Sequence, residues 1–74
     1  MPELDDGYVT TMGSDVDRDG MYLELAGADG RVVAEVFYSD ARDEMTFTAF
    51  RPNLPLPIVE QLISQAKLRL PPSS

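Results

Sequence analysis

Apolar and polar residues alternate in four short stretches of this chain, and a fifth stretch repeats its apolar residues at helical spacing. Period two is the mark of a strand with one buried face, and a period near 3.6 marks an amphipathic helix. The first stretch, "GYVTTM" (7–12), is β-branched but alternates weakly. "MYLELA" (21–26) sets Met21, Leu23 and Leu25 on one side and Tyr22, Glu24 and Ala26 on the other. "RVVAEVFY" (31–38) sorts into Val32, Ala34, Val36 and Tyr38 against Arg31, Val33, Glu35 and Phe37. "EMTFTAF" (44–50) sorts into Met45, Phe47 and Ala49 against Thr46, Thr48 and Phe50.

The prolines of "RPNLPLP" (51–57) rule out a strand interior there, because proline lacks the N–H and fixes φ. They predict an extended connector, with Pro57 suited to the first position of a helix. That helix is expected from about Pro57 to Leu70. Its apolar stripe is Val59, Leu62, Ile63, Ala66 and Leu70, with Ile58 at the edge and Leu68 pointing away. Glu60 is expected in the first turn and Lys67 and Arg69 in the last, as the helix dipole prefers. One apolar sheet face and one apolar helix stripe require each other. The expected fold is therefore α+β, an antiparallel meander of three to four strands (β-β-β-β-α) with the C-terminal helix packed on one face. The chain, 74 residues long, is read as one small domain, with 1–6 and 71–74 as frayed tails.

The connections are short, which excludes parallel crossovers. "GADG" (27–30) contains an Asp-Gly pair, a strong hairpin signal. A two-residue turn at Asp29-Gly30 would pair Leu25 with Ala34 and Leu23 with Val36, but would also set Glu24 against Glu35. Like charges directly opposite each other are destabilising. A four-residue loop over Gly27–Gly30 pairs Leu25 with Val32 and Glu24 with Val33, and is the register that the charges favour.

Charge is distributed unevenly. Residues 1–44 hold twelve acids and three bases, whereas residues 45–74 hold one acid and three bases, for a net charge of −7. Such a surface repels nucleic acid and attracts a basic protein. There is no histidine and no cysteine, which removes the usual general base, thiolate ligands and disulfides. No apolar run is long enough to span a membrane, and the start of the chain lacks a signal-peptide pattern, so a cytoplasmic protein is expected.

"SDVDRDG" (14–20) resembles the start of a calcium loop, with Asp15, Asp17 and Asp19 alternating before Gly20. Calcium loops of the helix-loop-helix kind need a bidentate glutamate at the twelfth position, and that position here is Ala26. The flanks are strand-like rather than helical. Asp and Gly also suit turns on their own account. The expectation is a hairpin loop, with Asp15, Asp17 and Asp19 kept as weak metal candidates and no cofactor required. Catalysis is not expected either. The serines lack a histidine, Lys67 belongs to a helix end, and no glycine-rich phosphate loop precedes a helix.

The second sheet face is the expected partner surface. It carries Tyr22, Val33 and Phe37, with Phe50 on the neighbouring strand and Glu24 and Glu35 around them, an aromatic patch rimmed by charge. A basic protein partner is the leading expectation, and a homodimer the alternative. "MYLELAGADGRVVAEVFYSD" and "LPLPIVEQLISQAKLRLPP" together resemble small uncharacterised bacterial proteins, some of them similar to immunity proteins encoded beside polymorphic toxins. The resemblance spans about residues 20–72. It implies an inhibitor that sequesters a basic toxin, and it carries over no site residue.

Overall fold

In the computed structural model, which describes residues 7–70, four strands and one helix follow one another in the expected order. They are β1 (Val9–Asp15), β2 (Gly20–Ala26), β3 (Val32–Ser39), β4 (Glu44–Ala49) and α1 (Leu56–Arg69). The sheet is an antiparallel meander in the order β1-β2-β3-β4, so β1 and β4 are its edges. The expected tails, 1–6 and 71–74, lie outside the described residues. Among the described residues no helix is long and apolar enough to cross a membrane.

The two loops at one end of the sheet are built alike. Val16–Asp19 joins β1 to β2, and Asp40–Asp43 joins β3 to β4. Each ends on an aspartate in the left-handed region, Asp19 at φ 55° and Asp43 at φ 53°. Aspartate tolerates that conformation better than most residues. The first strand therefore runs three residues further than its weak alternation suggested, up to Asp15.

The β2–β3 connection matches neither turn expected for it. The Gly30 N–H donates to the Gly27 carbonyl at 2.9 Å, the Gly27 N–H donates to the Arg31 carbonyl at 2.9 Å, and Gly30 has φ +86°. This is a three-residue loop, a tight turn closed by a left-handed glycine. Ala26 then faces Val32, but Leu25 faces Ala34, because a bulge intervenes. The bulge turns Val33 into the core, where it is 3% exposed, and leaves Val32 41% exposed. Val33 is thus not on the second face, as alternation predicted; an extra residue in a strand resets its parity. Beyond the bulge Leu23 faces Val36 and Glu24 faces Glu35, the arrangement that charge repulsion argued against.

The helix lies over β2 and β3. Leu23, Leu25, Ala34 and Val36 meet Ile58, Leu62, Ala66 and Leu70 in one core. The helix is rotated from its expected stripe. Ile58 is buried rather than at the edge, and Ile63 is 37% exposed. Two polar contacts hold the layers together. The Thr10 hydroxyl, fully buried on β1, donates to Gln65 Oε1 at 3.0 Å, and Gln65 therefore turns toward the sheet. At the other end Arg51 Nη2 donates to the Tyr8 hydroxyl at 3.0 Å, tying the connector to the start of β1. The helix begins at Leu56, so Pro57 is one residue inside it and Glu60 falls beyond its first turn, while Lys67 and Arg69 occupy the last turn as expected.

The packing carries a direct consequence for stability. Leu62 is fully buried and Leu68 is 80% exposed. Urea denaturation should show Leu62→Ala losing about 2–5 kcal/mol, while Leu68→Ala stays within about 0.5 kcal/mol of the parent.

Candidate interaction surface

The face of the sheet opposite the helix is organised by one arginine. Arg18 projects from the β1–β2 loop back across β2 and β3. Its Nε donates to Asp15 Oδ2 at 2.5 Å, and its Nη1 and Nη2 donate to Glu35 Oε1 and Oε2 at 3.2 and 2.8 Å. The guanidinium lies 4.0 Å from the centroid of the Phe37 ring. One flat cation thus makes a bidentate carboxylate pair and a cation–π contact together, which suits arginine and not lysine. This answers the register objection: Glu35, 8% exposed, faces Glu24 but carries its own counter-charge. The hydrogen bond to Glu35, and next that to Asp15, hold the Arg18 guanidinium above its ordinary range.

Beneath Arg18 the aromatics fill the gaps left by glycines. Tyr22 faces Gly13, and Tyr22 also faces Phe37 across the β2–β3 ladder. A Cβ at Gly13 would stand 2.5 Å from the Tyr22 hydroxyl oxygen. A Cβ at Gly20 would stand 2.6 Å from the tip of the Phe37 ring and would run into the Tyr38 carbonyl. Each ring therefore lies flat over the glycine of a neighbouring strand. A glycine that weakens a strand is offset when an aromatic side chain covers it.

Of the residues predicted to form a partner surface, Tyr22, Glu24, Glu35 and Phe37 do come together on this face. Val33 does not, because the bulge buries it. Phe50 lies past the end of β4 and is 59% exposed. Arg18 covers Phe37 and Glu35, so their contacts are largely made within the chain. Arg18 was the residue that periodicity missed. The signal available was its position, as the first basic residue of the chain amid aspartates.

Of the aspartates of the first loop, Asp15 is engaged by Arg18. Asp15 accepts from the Arg18 side chain and from its backbone N–H at 3.2 Å. The side-chain bond first, and the backbone bond next, hold its carboxyl below the ordinary carboxylate range. Among the described residues no three carboxylates are grouped to hold a metal ion. Asp15, Asp17 and Asp19 do not converge because this loop folds as a hairpin turn around Arg18.

The two loops at this end are joined. The Asp40 N–H donates to the Asp19 carbonyl at 3.0 Å. The Tyr38 hydroxyl donates to Asp43 Oδ1 at 2.6 Å. That bond, with burial and the Asp43 and Asp40 charges behind it, pushes the Tyr38 hydroxyl up to about 12. Between the loops lies an open depression of about 370 Å³, lined by Asp15, Val16, Asp19 and Asp40 among others. Val16 stands 90% exposed in the midst of these acids. No known family model, curated protein or solved structure matches this chain.

Two measurements follow from the Arg18 and Tyr38 contacts. Arg18→Ala should lower the melting temperature by several degrees, since it strands Glu35 opposite Glu24. Arg18→Ala combined with Glu35→Leu should recover most of the loss, because removing both members of a part-buried pair costs less than removing one. In an alkaline titration followed by tyrosinate absorbance, Tyr38 should ionise near 12. Its folded-state value is raised above the ordinary tyrosine value of 10.0, so its contribution to stability is complete below about pH 10 and is lost as pH rises through about 12.

Proposed function

We propose that this protein is an acidic protein-binding module that engages a basic partner at the joined β1–β2 and β3–β4 loops. The observation that carries the reading is the hydrogen bond between Asp40 and Asp19, which presents the carboxylates of two separate loops as one end of the sheet. Asp17, Asp19 and Asp40 are all exposed there, around the exposed Val16. Exposed carboxylates of the two loops, with the exposed Arg42 beside them, and an apolar tip supply both parts of a recognition patch. The charges steer the partner and fix its orientation, and the apolar centre excludes water on contact. A depression lined by carboxylates accepts a lysine or arginine side chain.

This reading moves the partner surface away from the sheet face carrying Tyr22, Glu24, Glu35 and Phe37, where Arg18 engages Glu35 and Phe37. It is a reading of binding rather than of catalysis. An inhibitor of the immunity type, sequestering a basic toxin, is the specific form that the sequence resemblance implies, and the charge pattern supports it.

The test begins with the partner retained from a lysate of the native organism at moderate salt. Its affinity is then measured against salt and against charge reversal. Asp17→Lys with Asp40→Lys should slow association and weaken binding at least about tenfold, with a reduced salt dependence. Phe37→Ala should change affinity far less. A partner whose affinity ignores both salt and the double reversal sinks this choice of surface.

A further inference from the structure

The geometry points to β4 as a dimerisation edge, on which a second copy of this chain pairs antiparallel, strand to strand, with Phe47 facing Phe47 on the two-fold axis. This goes beyond the acidic-end reading and uses a different surface.

The edge is open. β4 pairs with β3 on one side and is an outer strand of the sheet on the other. The Phe50 N–H donates to the Val33 carbonyl at 2.8 Å. Strand groups alternate in direction, so Met45, Phe47 and Ala49 turn their N–H and C=O groups outward. Edge strands are normally guarded by proline, lysine, a bulge or a covering element. Residues 45–50, "MTFTAF", contain neither charge nor proline. The β3–β4 ladder runs without a bulge, and α1 lies over β2 and β3 rather than over this edge.

The side chains add an apolar strip to the open backbone. Phe47 is 43% exposed and Ile63 is 37% exposed, and together with Met45 they line a cleft of about 200 Å³ between β4 and the helix. A second β4 laid alongside extends the sheet and brings the same strip of the second copy against this one.

Charge and parity choose the occupant and the register. The acids Asp43 and Glu44 precede the uncharged run and Arg51 follows it. An antiparallel copy of the same segment is therefore complementary to it. The outward groups belong to residues 45, 47 and 49, so those residues must pair among themselves. With Phe47 opposite Phe47, Met45 falls opposite the second copy's Ala49, so that all three outward residues of β4 are paired, and the acidic start of each strand lies toward the basic end of the other. A shift by one residue in the centre sets Met45 against Arg51 or Ala49 against Asp43, residues outside the strand, and loses one of these pairs. A foreign strand would need this same pattern; the chain already carries it.

Sedimentation velocity across a concentration series is the test. The expected result is a mass rising to two chains, with Phe47→Lys and, separately, Ala49→Lys each weakening the dimer at least about tenfold. Both substitutions fall at exposed positions, and an unchanged circular dichroism spectrum checks that the fold persists. The chain has no cysteine, so Phe47→Cys introduces a lone thiol. Facing residues in a hydrogen-bonded antiparallel pair lie about 5.5 Å apart between Cα atoms, within disulfide reach. Phe47→Cys should cross-link on mild oxidation and Thr11→Cys, on the opposite edge strand, should not. A single-chain mass at concentrations up to about 1 mM overturns the proposal. So does a dimer that both charge substitutions leave intact.

Discussion

One helix must serve a sheet of four strands, and that mismatch in width governs the rest of the molecule. Strands lie about 4.8 Å apart and a helix with its side chains is about 10 Å across, so a single helix covers two strands well. Here it covers β2 and β3, and the fully buried side chains Leu23, Leu25, Ile58, Leu62 and Leu70 gather along that line. The outer strands are left short of cover on the same face. Met12 on β1 is 37% exposed and Phe47 on β4 is 43% exposed. On β1 the shortfall is met by a small buried polar residue, since Thr10 needs only the Gln65 carbonyl to satisfy it. On β4 only Met45 packs against the core, and Phe47 stays uncovered within the described residues.

The opposite face has no helix, and the chain closes it with local means. Tyr22 and Phe37 lie over Gly13 and Gly20, and Arg18 lies over Phe37 while gripping Glu35. The result is a thin second layer of two rings and one guanidinium. It depends on the turn geometry, because Arg18 reaches Glu35 only when the Val16–Asp19 loop bends it back over the strands. Asp15 is the hinge of this device. By accepting both the backbone and side-chain N–H groups of Arg18, it fixes the loop and aims the guanidinium in one step. The three alternating aspartates that resemble a cation loop are therefore better understood through the arginine between them.

The strand order, the helix and the two-layer arrangement were legible in the sequence because each rests on periodicity and turn chemistry, which act locally. Leu23, Leu25 and Val36 turned inward as their alternation required. Val33 was misplaced because a bulge obeys the closing geometry of Gly30 and not any pattern within its own strand. Charge repulsion argues against the register across Glu24 and Glu35 only while the two strands are taken alone. The decisive charge came from Arg18, seventeen positions away, which pairwise strand reasoning cannot see. Ile63 and Ile58 exchanged roles in a helix that Thr10 holds through Gln65 from outside its own sequence. The acidic turns were visible from composition, but their union into one end depends on a single backbone bond between loops far apart in sequence.

The two surfaces proposed for binding are compatible because of how the meander runs. Both acidic loops sit at the end of the sheet where β4 begins, and Arg51 sits beyond the end where it finishes. Antiparallel pairing of two β4 strands sends the two acidic ends in opposite directions along the joined sheet. The like charges of the copies are then held apart by the length of the strands, beyond which screening at physiological salt leaves little repulsion. Pairing in parallel would stack the acidic ends together. A chain with net charge −7 resists self-association in general. It permits association along the one edge whose uncharged middle and oppositely charged flanks turn that resistance into a choice of direction.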